Sequence, residues 1–341
     1  MDAPTARHVA QLDPDRVAVL TDLRPMHFSG GADAAADHHG HVRAASALRR
    51  VGDTLYVVQD DVNVVAAVRG AGAAVPVLLP RGAGGLRTFG DERGNKRDKL
   101  DLEACAHLPD GRLLLVGSGS LPAREVLVVL DPTAAAATSA PRVVDASALY
   151  RRLHAAHALA GSELNLEGAV VVGPTLRLFQ RGNGAARDGR LPVDASVDLV
   201  LADVLRWLDH GGPVPALGHV VQYDLGRAGG GRLGFTDAAA LPAGWSRLVP
   251  AAAAEVAFLA CAEASADAIS DGEVTGCVLG WIGPDGGAGT ATVVDADGAD
   301  VTIKLEGLDP RPDQPDTFDV VADLDQHDHP AWLGQLRLTR R

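Results

Sequence analysis

The sequence predicts an all-β fold, and within that class a β-propeller that takes residues 1–341 as a single domain. Strand-like runs separated by turn residues dominate the chain. A short phrase also recurs, in which a polar ligand-type residue is followed by small residues and a hydrophobic run. Only residues 147–159 and 202–209 have a helical pattern, whereas an α/β fold needs helices that alternate with strands.

The recurring phrase sets the predicted blade positions. It falls at Ser46, Glu103, Glu167, Thr236 and Glu306. The gaps between these positions are 57, 64, 69 and 70 residues. A near-regular repeat of a multi-strand unit favours radial or linear repetition. We therefore expect five blades that begin near residues 46, 103, 167, 236 and 306.

Four antiparallel strands are expected in each blade. The first two blades have runs at 46–51, 54–59, 62–68 and 74–79, and at 103–108, 112–117, 125–131 and 142–146. The third and fourth have runs at 167–172, 175–180, 196–202 and 218–224, and at 236–241, 255–262, 275–282 and 291–295. The fifth has 305–308, 317–322 and 332–338, and is therefore one strand short.

An N-terminal strand within residues 5–20 can complete the fifth blade. The candidates are His8–Leu12 and Val17–Leu20. A strand from the other end of the chain would close the ring and remove an exposed sheet edge. The alternative is six blades, with the sixth hidden in the long first or fourth segment.

Charge and cysteine content limit the function classes. The net charge of −13 argues against a nucleic acid duplex as partner, since a duplex binder needs a basic face. Three cysteines without metal-type spacing predict unpaired thiols in a reducing compartment, and hence a cytoplasmic protein. No signal peptide and no apolar run of about 18 residues is found, so no membrane association is expected. The sequence identifies no partner protein.

The propeller hypothesis predicts where the chemistry lies. The first strand of a blade begins at the face where the second strand ends, so the five phrase residues should meet the ends of the second strands at one mouth. Those ends carry Asp60, Asp61, Ser118, Ser120, Arg181, Asn183, Glu263, Asp323 and Asp325. Carboxylates gathered on one axis repel one another, and a hard cation removes the conflict. Ca²⁺ accepts many oxygen ligands with loose geometry, whereas Mg²⁺, the alternative, is stricter.

The order Ser, Glu, Glu, hydroxyl, Glu resembles that of the calcium-activated nucleotidase (apyrase) family, which is a five-bladed propeller with a central Ca²⁺. The resemblance implies that Ser46, Glu103, Glu167, Thr236 and Glu306 ring the metal. The Glu-Gly phrases, with Asn-Leu-Glu-Gly at 165–168, also look like those of phytase-like and other calcium propellers. The phrases at 163–169 and 180–183 look like those of an uncharacterised bacterial propeller family.

Cationic residues near the same mouth indicate a small anionic ligand. Arg181, Asn183, Lys99 and Arg124 are the candidates for holding it. Glu263 or Asp61 could act as the general base. These residues predict a Ca²⁺-dependent hydrolase of a phosphate ester or anhydride at the channel mouth.

Two other functions stay open at this point. One is a binding or scaffold propeller with a purely structural metal, and the other is a lactonase-like metal hydrolase that acts on an uncharged substrate. Cations that face the mouth favour an anionic substrate, whereas cations held in salt bridges between blades favour the scaffold. A lactonase needs no cationic rim.

Overall fold

Antiparallel strands make up most of the computed structural model, which describes residues 5–133, 140–249, 254–263, 273–324, 326 and 328–341. The fold is all-β and propeller-like, as the sequence predicts. Asp325, one of the residues predicted at the mouth, lies outside the described residues. No helix in the described part of the chain has the length and apolar character needed to cross a bilayer.

The chain first forms two strands, β1 (Ala6–Val9) and β2 (Gln11–Pro25), and then two four-stranded meanders. The first unit contains β3 (Ala45–Val51), β4 (Thr54–Gln59), β5 (Val64–Arg69) and β6 (Val75–Leu78). The second unit contains β7 (Leu102–His107), β8 (Leu113–Gly117), β9 (Val126–Leu130) and β10 (Arg142–Asp145).

Two helices separate the second unit from the third: α1 (Ser147–Ala155) and α2 (His157–Ala160). The third unit contains β11 (Leu166–Val172), β12 (Thr175–Gln180), β13 (Asp194–Val200) and β14 (Leu217–Asp224). Between β13 and β14 lies α3 (Leu201–His210). Strand β1 pairs in parallel with β14 and so adds a fifth strand to this sheet.

The remaining strands form one nine-stranded sheet that holds two units. The fourth unit contains β15 (Arg227–Ala228), β16 (Gly231–Ala240), β17 (Val256–Glu263), β18 (Val274–Ile282) and β19 (Ala288–Val294). The fifth contains β20 (Lys304–Pro310), β21 (Thr317–Asp323) and β22 (Trp332–Arg340). Strand β2 runs parallel to β19 and antiparallel to β22, and thereby joins the two units.

Tight turns between the first two strands of a unit fix the pairing register. Val51 is paired with Thr54, which leaves Gly52 and Asp53 as a two-residue loop, and Gly52 has a φ of 57°. Gly173 has a φ of 54° in the corresponding loop of the third unit. Glycine adopts this left-handed conformation without a steric penalty, which suits it to two-residue hairpin loops.

Five hydrophobic clusters lie between successive units, and one of them joins the fifth unit to the first. The first strands of the units also contact one another in a cyclic order, β3–β7–β11–β16–β20–β3. Each sheet is therefore buried on both faces, which explains why all six residues of β4 are buried. This arrangement brings the start of every first strand to one region of the protein.

The cysteines differ from the prediction that they are all unpaired. Cys261 and Cys277 are joined by a disulfide, with their Cα atoms 4.2 Å apart, and Cys105 is a buried free thiol. The two bonded cysteines are direct partners in the β17–β18 ladder. This juxtaposition depends on the register of two strands, which the spacing of the cysteines in the sequence does not reveal.

Candidate functional site

Each of the five phrase residues occupies the same structural position. In every first strand, the pairing register with the second strand shifts at the phrase residue, which is skipped in the ladder. The skipped residues are Ser46, Glu103, Glu167, Thr236 and Glu306. A β-bulge leaves one residue unpaired and re-aims its side chain. The repeat found in the sequence is therefore a repeat of bulges.

Four of the five bulge residues line one cavity of about 390 Å³. The same cavity is lined by other ionisable residues and by two asparagines, among them Arg43, Asp60, Asp61, Lys99, Asp101, Arg124, Arg181, Lys304, Asp323, Asn165 and Asn183. The exception among the bulge residues is Thr236, which is fully buried and does not line the cavity. Glu263 does not line it either, and lies behind Arg181.

Three carboxylates on one wall of the cavity form a candidate metal centre. Oxygens of Asp60, Asp101 and Glu103 lie within 4.8 Å of one another. Burial raises the pKa of Glu103 well above its usual range, and the charges of Asp60 and Asp101 raise it further. One oxygen of Asp60, Oδ1, is buried without a hydrogen-bond partner in the described structure. A cation bound among these three carboxylates would therefore be stabilised by them.

Two cations border this cluster and hold its position. The ammonium of Lys99 contacts Asp60 and lies 2.6 Å from Asp101 Oδ1. Arg124 donates a hydrogen bond of 2.8 Å to Asp101 Oδ2. Burial acts to raise the pKa of Asp101, but Lys99 and Arg124 outweigh burial, so that its pKa lies below the usual range. Asp101 is thus a fixed anion, whereas Glu103 beside it resists ionisation.

A second network lies across the cavity and links the third, fourth and fifth units. Arg181 contacts Glu167 at 3.2 Å and Glu263 at 2.9 Å, while Lys304 contacts Glu306 at 2.5 Å and Glu263 at 3.4 Å. Burial acts to raise the pKa of Glu263, but Arg181 and Lys304 lower it to about 2. A carboxylate with so low a pKa is a weak base.

The other two carboxylates of this network have raised pKa values. Burial raises the pKa of Glu167 to about 6, against the opposing effect of Arg181. Burial raises the pKa of Glu306 well above its usual range, although Lys304 acts in the opposite direction. Glu306 Oε2 is buried and has no hydrogen-bond partner in the described structure.

Asp61 is the carboxylate best suited to proton transfer. Its side chain contacts Arg43, and its Oδ1 is buried without a partner in the part of the chain that the structure describes. Burial raises the pKa of Asp61 to about 7, and the adjacent Asp60 contributes to the rise while Arg43 limits it. A carboxylate with a pKa near neutrality can accept a proton and release it again at physiological pH.

The two hydroxyl bulge residues bind backbone carbonyls of the neighbouring first strand. Ser46 Oγ donates to the carbonyl of Leu102 at 2.6 Å, and Thr236 Oγ1 donates to the carbonyl of Leu305 at 2.6 Å. Each acceptor immediately precedes a bulge glutamate. The hydroxyls thus connect adjacent units at the level of the glutamates.

An ion pair fills the centre of the ring of first strands. Arg49 contacts Asp237 through both carboxylate oxygens, at 2.9 and 3.0 Å, and both side chains are buried. Arg49 also donates to the carbonyls of Ala169 and Leu308, on strands of the third and fifth units. Asp237, which follows the bulge at Thr236, therefore binds an arginine at the centre of the ring.

The ionised groups around the cavity do not balance. Seven carboxylates belong to the two networks and to Asp61, and five cations accompany them. The carboxylates are Asp60, Asp61, Asp101, Glu103, Glu167, Glu263 and Glu306, and the cations are Arg43, Lys99, Arg124, Arg181 and Lys304. If all of these groups were ionised, they would carry two negative charges, and a divalent cation would reduce the repulsion that opposes ionisation of Glu103 and Glu306. Asp323, which also lines the cavity, is a further carboxylate.

Sequence reasoning missed Asp101, Lys304 and Arg43 as members of the site. Asp101 and Lys304 each lie two residues before a bulge glutamate, and Arg43 lies three before Ser46. Residues just before a first strand lie at the same face of the protein as the first residues of that strand. The positions of these three residues in the sequence could therefore have placed them at the site. Of the residues predicted to bind an anion, Arg181, Asn183, Lys99 and Arg124 all line the cavity.

The chain belongs to a family of unknown function (DUF6929), whose model matches residues 41–338. No curated protein matches the sequence. Among solved structures, the N-terminal domain of Nup159 is similar at 7% identity over 99% of this chain and 100% of that one, with a TM-score of 0.31. The strand pairing and the packing between units define the all-β, propeller-like fold of this chain.

Proposed function

We propose that this family member is a five-bladed β-propeller that binds a divalent cation, Ca²⁺ or alternatively Mg²⁺, and hydrolyses a phosphate ester or anhydride at its mouth. The observation that carries the proposal is the meeting of three clustered carboxylates with buried arginines in one cavity. The cyclic contacts of five first strands, and the five clusters between units, support the blade count and ring closure.

The carboxylates Asp60, Asp101 and Glu103 would hold the cation. They offer the hard oxygen ligands that Ca²⁺ and Mg²⁺ prefer. The pKa of Glu103 is raised, and one oxygen of Asp60 has no hydrogen-bond partner in the described structure. Both features are expected of a cation site. This set differs from a ring of the five bulge residues, because Glu103 is the one bulge residue in the described cluster of oxygens within 4.8 Å, and Thr236 lies away from the cavity.

Arg124 and Arg181 would hold the anionic substrate. Both side chains are 2% exposed, and each has at least one guanidinium N–H group that is buried without a partner in the described structure. Guanidinium groups bind phosphoryl oxygens strongly because their donors form a fork. Asn183 lines the same cavity and can donate a further hydrogen bond.

A bound cation would supply charge neutralisation at the phosphoryl group. Asp61 would accept a proton from the attacking water, since its pKa of about 7 suits a general base. The new bond joins the water oxygen to phosphorus while the bond from phosphorus to the leaving oxygen breaks. Glu263, with a pKa of about 2, would instead hold Arg181 in place.

A second function is favoured by the salt bridges themselves. Lys99, Arg124 and Arg181 line the cavity, but each is also paired with a carboxylate, and Arg181 links two units through Glu167 and Glu263. Paired cations attract an anion less strongly than free ones. The second candidate is therefore a binding propeller whose metal is structural.

The deciding experiment is thermal unfolding in EDTA and then with Ca²⁺ or Mg²⁺, followed by hydrolysis assays with a phosphate monoester, pyrophosphate and an uncharged lactone. A cation at 100 times its dissociation constant should stabilise the native protein by about 2.7 kcal/mol. The variant Glu103→Gln should lose this shift. Asp91→Asn, at an exposed carboxylate on the cavity rim, is the matched control and should keep it.

The outcomes separate the candidates. A cation-dependent shift with phosphate release supports the hydrolase, and a shift without turnover supports the binding propeller. Turnover of the lactone alone would replace the phosphate substrate with an uncharged one. The absence of a shift with either cation would contradict the metal site.

A further inference from the structure

A basic groove lies at the outer edge of the third unit, away from the acidic cavity. It has a volume of about 910 Å³ and is lined by Arg7, Arg190, Arg227 and Arg232, with His157 beside them. The one carboxylate among its described lining residues is Asp224. In a chain with a net charge of −13, this concentration of arginine runs against the overall composition.

Like charges face one another at two hairpins beside the groove. Arg227 and Arg232 are direct partners in the β15–β16 ladder. Arg187 and Arg190 are direct partners in an isolated bridge and exchange both backbone hydrogen bonds. Directly opposed like charges destabilise a β-ladder. Arg190, Arg227 and Arg232 of these pairs line the groove, and an anionic ligand bound there would reduce the repulsion.

The arginines differ in how far they are neutralised. Arg232 contacts the buried Asp194 at 2.9 Å, and Arg187 contacts Glu163 at 2.5 Å. Among the described residues, Arg227 donates only to the carbonyl of Gly230. Arg7 and Arg190 are exposed, and neither side chain has a hydrogen bond or ion pair in the described part of the chain. The groove therefore keeps uncompensated positive charge.

The shape and the apolar neighbours define the kind of ligand. The arginines come from three separate segments, β1, residues 187–190 and the β15–β16 hairpin, which line one groove of about 910 Å³, a volume that suits a peptide segment better than a single small anion. Leu191, at 70% exposure, and Val193 line the same groove. A long polyanion such as nucleic acid would meet the negative field of the rest of the protein.

From these observations we propose that the groove binds an acidic peptide segment of a partner protein, with an apolar residue of that segment packed on Leu191. Carboxylates of the peptide would pair with Arg7 and Arg190, and the guanidinium forks make such pairs strong. The proposal is independent of the metal site and of any hydrolytic activity.

The test uses the full chain and the fluorescein-labelled peptide Glu-Glu-Asp-Leu-Glu-Asp-Glu in fluorescence anisotropy at low ionic strength. We expect saturable binding that weakens as salt is added. The double variant Arg7→Glu with Arg190→Glu should weaken binding by about tenfold or more. Arg151→Glu, at an exposed arginine of α1 outside the groove, is the matched control and should bind as the native protein does.

Three results would overturn the proposal. These are the absence of saturable binding to the native protein, equal loss in the Arg151→Glu control, and tighter binding of polyphosphate or single-stranded DNA of equal charge than of the peptide. A peptide with Leu replaced by Ser should bind more weakly, and equal binding would contradict the role of Leu191. Glu103→Gln should leave peptide binding unchanged, which separates this test from the test of the metal site.

Discussion

Arg49 and Asp237 form a bidentate ion pair that is buried where the five first strands meet. The two residues are 188 positions apart in the sequence and belong to the first and fourth units. Asp237 also accepts hydrogen bonds from the backbone N–H groups of Ala238 and Leu308. The buried ion pair and its hydrogen bonds therefore connect the units at the centre of the ring of first strands.

Breaking this pair from one side should be costly. Arg49→Met leaves a buried carboxylate without its cation, and such a loss typically reduces the free energy of unfolding by about 3–5 kcal/mol. Adding Asp237→Asn removes the stranded charge and keeps an acceptor oxygen for one of the two N–H groups, so the double variant should be more stable than Arg49→Met. Urea denaturation measures both, with Arg151→Met as the surface control. A double variant less stable than the single one would contradict this account.

Stability without metal should fall as pH rises through neutrality. The pKa of Asp61 is about 7 in the folded protein, whereas an aspartate in an unfolded chain titrates at about 3.9. Between these values the folded state binds more protons, so stability decreases with rising pH. Melting temperatures in EDTA from pH 5 to pH 8 should decline, and Asp61→Asn should flatten the decline. A rise over this range would refute the raised pKa.

The same carboxylate should control the pH dependence of any phosphate hydrolysis. A general base must be deprotonated, so the rate should increase with pH and level off above about 7, the pKa of Asp61. Asp61→Asn should remove this ascending limb and most of the activity, while the cation-dependent thermal shift persists. If the rate of the variant still increased with pH in this range, a group other than Asp61 would be the general base.

Thr236 should contribute to stability and not to cation binding. Thr236→Val keeps the shape of the side chain but leaves the buried carbonyl of Leu305 without its donor, which costs about 1–3 kcal/mol. The thermal shift produced by Ca²⁺ should stay the same, because Thr236 does not line the cavity. Loss of that shift in the variant would return Thr236 to the set of metal ligands.

The disulfide can be tested by counting the reactive thiols before and after reduction. Denatured but unreduced protein should expose one reactive thiol, that of Cys105, and reduced protein should expose three. Native protein should react slowly, since burial raises the pKa of Cys105 to about 12. Reduction should lower the free energy of unfolding by about 3 kcal/mol, the loop-closure value for a span of this length. Three thiols before reduction would show that the bond is absent.

Local patterns in the sequence predicted the strands well. The strands 54–59 and 175–180 match the prediction at both ends, because turn residues bound hydrophobic runs there. The equivalence of the phrase residues was also predictable, since a bulge recurs at each of them. Periodicity is a local property, and it is sufficient to find repeated units.

Pairing between distant side chains was not predictable. Thr236 and Asp237 are adjacent polar residues, and the bulge separates their roles by directing Thr236 to a carbonyl and Asp237 to Arg49. Glu263 was predicted to be a base, but Lys304 and Arg181 lower its pKa to about 2. Such pairs depend on the packing of one sheet against the next, which single-sequence patterns do not encode.

Strand β2 lets segments that lie more than 300 residues apart stabilise each other, since Arg16 pairs with Arg340. It pairs with β22, so that Val17 lies opposite Thr339, and with β19 on its other edge. A ribosome would therefore release β2 long before its partners exist, and the fourth and fifth units could not complete their shared sheet until β22 had been made. Contacts of such long sequence separation slow folding. A nascent chain should consequently depend on protection of residues 11–25 until residues 332–340 have emerged.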